Sequence, residues 1–369
     1  MHDEQLRERF TQWAQPLQAA PPPALSVLRR RARRRTVGRA AISGLAVMGA
    51  AAIALFGLPR SGHSTPAVAA AGAPRYAVAI ESSAGGPTAS VLDMVTGKVV
   101  GRVVTPIARS DFEWVAAAAD DRTFVLADQS QALVFRFYLL HLAADGKPGR
   151  LTQLGVPKLH GIQIYGMALT ADASKLAVAW QNNPTGPVTS HISVSTVATG
   201  ATHSWSSTQG AALDVSWAGD HILAFDWQDT DSQARSGVRL LDTAAVGTNL
   251  LASRLLIPAS IRTAGLDSPG DPLITEDGST LFAVMASGVK TAIVSFSVRS
   301  GKIQATILTQ PASQSQWYCG VLWTDPRGRT VLTQCGTTQT SIEGNRTTQI
   351  RLHQLIPASP VGFANPFAW

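Results

Sequence analysis

The sequence predicts an all-β, six-bladed β-propeller, preceded by one apolar transmembrane helix and a short basic tail. Three observations predict the propeller. One strand–turn–strand unit recurs about every 50 residues, glycine-turn hairpins follow it, and each end of the repeat region lacks strands that the other end supplies.

The N-terminal elements come first. Residues 1–39 carry nine Arg against Asp3, Glu4 and Glu8, a net charge of +6; residues 40–369 hold 22 basic and 21 acidic residues, a net of +1. The basicity of the chain therefore belongs to the tail, and anionic lipid rather than nucleic acid is its expected partner. Leu6, Phe10, Trp13 and Leu17 fall at helical spacing behind a capping Asp3. That stripe is a candidate surface for a cytoplasmic protein or for the inner membrane face.

Ala40 to Leu58 is an uncharged run of 19 residues, AAISGLAVMGAAAIALFGL. At ~1.5 Å per residue it spans about 28 Å, close to the hydrocarbon core of a bilayer. Arg29, Arg30, Arg31, Arg33, Arg34, Arg35 and Arg39 precede it and only Arg60 follows before Arg75, so the positive-inside rule puts the N-terminus in the cytoplasm and the rest outside. A cleaved signal peptide is the rival, with small-residue sites in AVAAAGA (67–73), but its leading region of 39 residues is long for a signal. The expected organisation is thus tail 1–39, transmembrane helix 40–58, flexible Pro/Ala/Gly linker 59–75 and propeller 76–369.

The repeat units are FEWVAAAADDRTFVLAD (112–128), IYGMALTADASKLAVAW (164–180), LDVSWAGDHILAFDW (213–227), LITEDGSTLFAVMAS (273–287) and CGVLWTDPRGRTVLTQC (319–335). Their turns, near Asp121, Ala173, Asp220, Gly278 and Arg327, lie 52, 47, 58 and 49 residues apart. Second hairpins such as VLDMVTGKVVGRV and ISVSTVATGATHSW place Gly where a tight turn needs positive φ. YAVAI, ASVLDM and KVVGRV form three strands without an inner one, and GFANPFAW at the C-terminus supplies it. The 294 residues from Tyr76 to Trp369 then give 49 per blade. Seven blades or a two-sheet sandwich are the alternatives.

These units, with ISVSTVATG (192–200) and VRLLDTAAVGTNLLASR (238–254), resemble the WD40-like and TolB-like β-propellers of actinobacterial membrane-anchored proteins. The arrangement FTQWAQPLQAAPPPALSVLRRRARRR (10–35) before one span is similar to that of proteins associated with extracytoplasmic-function sigma factors. The resemblance implies a propeller outside the membrane and a sigma factor as a partner of the tail. The His-x3-Cys-x2-Cys zinc motif of many anti-sigma domains is absent, since the tail has no cysteine and only His2.

No common catalytic signature is present. The eight histidines are scattered, and there is no HExxH, Gly-x-Ser-x-Gly, phosphate loop or GxGxxG, so no catalytic residue, metal ligand or cofactor is expected. Function collects on long loops, and these cluster on one predicted face. Its candidate ligand-binding members are Asp111, His160, Asn182, Asp229, Asp231, Asp271, Trp317 and Tyr318. The expected function is noncatalytic extracytoplasmic sensing or ligand binding; an extracytoplasmic hydrolase or lyase and a cell-envelope scaffold are the alternatives. Cys319 and Cys335 lie eight residues either side of Arg327, which places them opposite each other in a hairpin and predicts a disulfide.

Overall fold

A computed structural model describes residues 74–81, 88–130, 132–160, 162–182, 188–262, 266–287, 290–311, 319–335, 338–344, 346–350 and 367–368. The chain divides into Met1–His63 and Ser64–Trp369, and every described residue belongs to the second unit. The tail, the apolar span and linker residues 59–73 lie outside the described residues. Among the described residues, no helix is long and apolar enough to cross a membrane.

The described residues of this second unit fold as six antiparallel sheets in chain order, the expected six-bladed propeller. Blade 1 holds β1 (Tyr76–Glu81), β2 (Thr88–Asp93) and β3 (Lys98–Val104). Blade 2 holds β4 (Ser110–Ala117), β5 (Thr123–Ser130), β6 (Val134–His141) and two short outer pieces, β7 (Thr152–Gln153) and β8 (Leu159–His160). Blade 3 is β9 (Ile162–Leu169), β10 (Lys175–Asn182), β11 (Ser190–Thr196) and β12 (Thr202–Ser207). Blade 4 is β13 (Gly210–Ala218), β14 (Ile222–Asp229), β15 (Gly237–Asp242) and β16 (Arg254–Pro258). Blade 5 is β17 (Asp267–Ile274), β18 (Thr280–Ala286), β19 (Lys290–Ser297) and β20 (Ile303–Pro311). Blade 6 is β21 (Cys319–Thr324), β22 (Thr330–Cys335), β23 (Thr338–Glu343) and β24 (Arg346–Ile350).

The ring closes as the chain ends imply. β25 (Phe367–Ala368) pairs with β1, Val78 facing Ala368 and Ala79 facing Phe367, and so becomes the inner strand of blade 1. Burial follows the ring: six apolar clusters each join one blade to the next. Phe112 and Phe124 pack with Tyr76 and Val91 between blades 1 and 2. The cluster of Ala77, Ala79, Leu92 and Leu332 joins blade 6 back to blade 1. The second strand of each blade is buried on both faces, as LAFDW in β14 shows, with Phe225 and Trp227 fully inaccessible. A strand flanked by neighbours on both sides reads as a continuous apolar run. Exposure of the outer strand varies from blade to blade: β20 has no buried residue, whereas β16 buries Leu256 and Ile257.

The disulfide forms, and a bulge in β21 brings its cysteines together. Thr324 opposes Val331 and Trp323 opposes Leu332, but Leu322 is passed over and Val321 opposes Thr333, so that Cys319 opposes Cys335. Continued straight from the turn, the register would have set Cys319 against Gly336. The bond has an S–S distance of 2.01 Å and a Cα–Cα distance of 4.1 Å.

Candidate functional site: the axial cavity and the loop face

The inner strands share one irregularity, and it shapes the centre of the ring. In β4 the register shifts between Phe112 and Trp114, in β9 between Ile164 and Gly166, and in β13 between Leu213 and Val215. The same happens in β17 between Gly270 and Leu273 and in β21 between Val321 and Trp323. Each bulge sets one more residue on the inner strand than on the second strand opposite it, and the extra residues of the register are Glu113, Tyr165, Asp214, Asp271 with Pro272, and Leu322. One extra residue also reverses the side-chain alternation. Phe112 and Val115 therefore pack in the core toward blade 1, whereas Trp114 and Ala116 pack toward blade 3.

An open cavity of about 360 Å³ lies beside these bulges, lined by residues of five inner strands, β4, β9, β13, β17 and β21. Trp114, Met167, Asp214, Trp217, Asp271 and Trp323 contribute to its wall, and Ala119, Ala171, Gly219, Glu276 and Pro326 rim it where the inner hairpins turn. Backbone bonds tie this rim from blade to blade: the Ala119 amide donates to the Ala171 carbonyl (3.0 Å), Gly219 to Glu276 (2.9 Å) and Asp277 to Pro326 (3.3 Å). Asp214 and Asp271 have positive φ, 41° and 49°, a conformation uncommon for non-glycine residues. Gly166 lets β13 come close, because a Cβ there would lie 2.9 Å from the Asp214 Cα and from the Asp214 and Val215 nitrogens.

The charge of the lining has one sign. Asp214, Asp271 and Glu276 are acidic, and none of the described lining residues is Lys, Arg or His. Above them on the inner strands, burial and the neighbouring Asp111 charge push the Glu113 carboxyl up from its ordinary pKa. Burial pushes the Tyr165 phenol up to about 12, and its hydroxyl donates to Gln163 Oε1 at 3.0 Å. Among the described residues, no group of three or more His, Cys, Asp or Glu is arranged to hold a metal ion.

The sequence-predicted site residues divide into three sets. Asp111, exposed at the start of β4, His160, exposed in β8, and Asn182, at the end of β10, occupy the ends of strands at the loop face. Asn182 Oδ1 accepts from the Thr189 amide at 2.7 Å and holds its own loop. Asp229 Oδ1 accepts from the amides of Asp231 and Ser232 (2.9 and 2.7 Å) and from Arg235 Nη2 (3.1 Å), which ties the loop to β14 and uses much of this carboxylate within it. Asp231 is exposed in that loop. Asp271 lies elsewhere, within β17 on the cavity wall, because β17 begins earlier than the long loop read from the sequence allowed. Trp317, Tyr318, Leu6, Phe10 and Trp13 lie outside the described residues.

Sequence reasoning missed Asp214, Glu113, Tyr165 and Glu276. A signal for the first three exists: FEWV, IYGM, LDVS, GDPL and VLWT occupy the same place in the five repeats, and their second residue is the one the bulge expels.

No family model matches the chain, and no curated protein sequence does. Solved structures similar in fold do exist. TolB from Acinetobacter baumannii superposes with a TM-score of 0.51 at 12% identity, covering 75% of this chain; the match spans 63% of that TolB's length. An oligogalacturonate lyase in complex with manganese gives 0.50 at 13% identity, covering 73% of this chain and 72% of its own. At these identities the likeness concerns the propeller fold alone.

Proposed function

We propose that this is a noncatalytic binding propeller, held on the outer side of a membrane, in which the axial cavity takes the ligand. The observation that carries the reading is the cavity itself. About 360 Å³ opens between five bulged inner strands, lined by Asp214, Asp271 and Glu276 together with the largely core-packed Trp114 and Trp217, and this volume is within the range of a small-molecule site. Membrane attachment rests on the arginine block before the apolar run at 40–58, with anionic lipid as the partner of the tail. The sigma-factor link rests on the resemblance of residues 10–35, and a relay would pass through Leu6, Phe10 and Trp13.

Two experiments test the parts separately. Ala171 sits on the cavity rim, so Ala171→Trp should obstruct entry and abolish the thermal stabilisation that any cavity ligand gives the wild-type protein. Equal stabilisation of both proteins by every ligand found would refute the cavity as the site. Alkaline phosphatase fused after Arg75 should be active and after Arg35 inactive; the reverse would refute the topology.

An extracytoplasmic enzyme is the second reading, favoured by Glu113, a half-buried carboxyl whose pKa is raised beside Asp111. Glu113→Gln should abolish turnover of any substrate identified if that reading is right, and leave binding at the cavity intact if it is not.

A further inference from the structure

We infer that Asp128, Ser110 and the Ile107 carbonyl form a proton-operated latch, in which a protonated Asp128 pins the connection between blades 1 and 2 on the loop face and an ionised one releases it. Asp128 is fully buried near the end of β5, opposite Phe112 of β4 and Arg136 of β6. Its Oδ2 lies 2.7 Å from the Ser110 hydroxyl oxygen, and that same hydroxyl oxygen lies 2.8 Å from the Ile107 carbonyl. Two oxygen–oxygen contacts of these lengths each need a proton, and a serine hydroxyl has one. The carboxyl is the partner able to supply the second. With the proton on Asp128 the chain is complete: Asp128 donates to Ser110, and Ser110 donates to Ile107.

The other side of the carboxyl agrees. Asp128 Oδ1 faces Arg136 Nη1 at 3.7 Å, and neither atom makes a hydrogen bond. An ionised carboxylate beside a guanidinium closes to about 2.8 Å, and a neutral one has less to draw it in. The charged and titratable groups that face Asp128 are Arg136 and Tyr138 on β6 and Asp111 on β4. Burial outweighs the Ser110 bond and the pull of Arg136 and holds the carboxyl above its ordinary pKa. The protonated form therefore suits the fold and is lost as pH rises through the raised value.

The latch holds a turn. Thr105 Oγ1 lies 3.3 Å from the Ile107 carbonyl and 3.1 Å from the Ser110 carbonyl, and the Ser110 amide donates to Ile107 at 3.3 Å, all longer than the hydroxyl bond that the proton controls. Arg109, exposed in this turn, has φ of 61°, a conformation unfavourable for a non-glycine residue that the surrounding bonds must maintain. When Asp128 ionises it takes the Ser110 proton for its own bond, the bond to Ile107 is lost, and the turn loses its shortest tether where the chain enters β4. None of this requires a ligand in the axial cavity.

Amide hydrogen exchange over residues 105–110 of the purified full-length protein, followed from pH 4.5 to pH 8 and corrected for the intrinsic pH dependence of exchange, tests the latch. In the wild type the corrected rate should rise about fivefold as Asp128 ionises, the equivalent of one net hydrogen bond. Asp128→Asn keeps an N–H donor toward Ser110 at every pH and should stay slow across the range. Ser110→Ala leaves the buried carboxyl in place but cuts the chain, so it should exchange fast throughout; it decides the matter if Asp128→Asn does not fold. Glu113→Gln, which removes the other raised carboxyl of this blade, should keep the wild-type profile. A wild-type rate that is flat or falls with pH overturns the latch. So does a pH dependence that survives Ser110→Ala, or one that disappears in Glu113→Gln and not in Asp128→Asn.

Discussion

Replacing Gly166 by Ala tests the close approach on which the cavity depends. The added Cβ would stand 2.9 Å from three backbone atoms of Asp214 and Val215, against an ordinary carbon contact of about 3.5–4.0 Å. Those atoms belong to a neighbouring strand and cannot swing aside as a side chain tip can, so blades 3 and 4 must separate by several tenths of an ångström. Overpacking of this kind costs about 1–3 kcal/mol. Against it stands a gain of about 0.4–1 kcal/mol from a less flexible unfolded chain. Gly155→Ala isolates that gain, since a Cβ there meets nothing nearer than the Thr199 carbonyl at 4.0 Å. The difference between the two variants therefore reads the clash alone. With an unfolding entropy of about 2.1 cal/mol/K per residue over the propeller, 1–3 kcal/mol corresponds to about 2–5 °C in Tm. Thermal denaturation of both variants side by side measures it, and equal midpoints would refute the close approach and the bulge geometry that creates it.

Other consequences of the structure can be measured in the same way. Replacing Cys319 and Cys335 together by Ala removes a crosslink between residues 16 apart, worth up to about 3 kcal/mol in the chain-entropy model, and should lower Tm by up to about 5 °C; a reduced wild type as stable as the oxidised one would contradict it. Deleting residues 362–369 removes β25, the partner of Val78 and Ala79, and should expose the inner edge of blade 1 to proteolysis; unchanged protease resistance would argue against closure. Glu113 has a folded-state pKa raised by burial, so its protonated form suits the fold and stability falls as pH rises from the unfolded value of 4.5 through the folded one. Glu113→Gln should therefore gain stability relative to wild type between pH 4 and pH 7 in urea titrations, and a constant difference across that range would exclude the burial cost.

The blades were legible because their signal is repeated and local. Gly97, Gly200 and Gly301 sit at φ of 67°, 71° and 67° in the outer turns, where the glycine-turn hairpins required them. Closure was legible too, because three strands at one end and an apolar octapeptide at the other had a single way to complete a blade. The cavity was not. Its wall depends on which residue each inner strand expels, and alternation read along the sequence assumes that none is expelled. Asp271 shows the effect: DSPGDP carries two prolines and a glycine and reads as loop, yet it forms β17 with two register shifts. The disulfide was predicted from symmetry about Arg327, and it forms because the Leu322 bulge corrects a turn that is off that centre by half a residue.

The same bulge explains why a propeller can alter its ligand without altering its core. Residues on either side of it are bound to opposite packing faces, as Phe112 and Trp114 are to the cores on the two sides of blade 2. The extra residue falls outside the strand register, which leaves its identity freer than that of the second strand, although Leu322 still packs against the core between blades 6 and 1. That freedom is visible in the five residues found there, a Glu, a Tyr, two Asp and a Leu, whereas the second strands opposite them stay apolar through LAVAW, LAFDW and LFAVMA. Where the extra residue lines the cavity, as Asp214, Asp271 and Leu322 do, chemistry at the axis is set by positions outside the strand register. Exchanging Asp271 for another residue able to take its positive φ, such as Asn, should change what the cavity binds while leaving the ring intact.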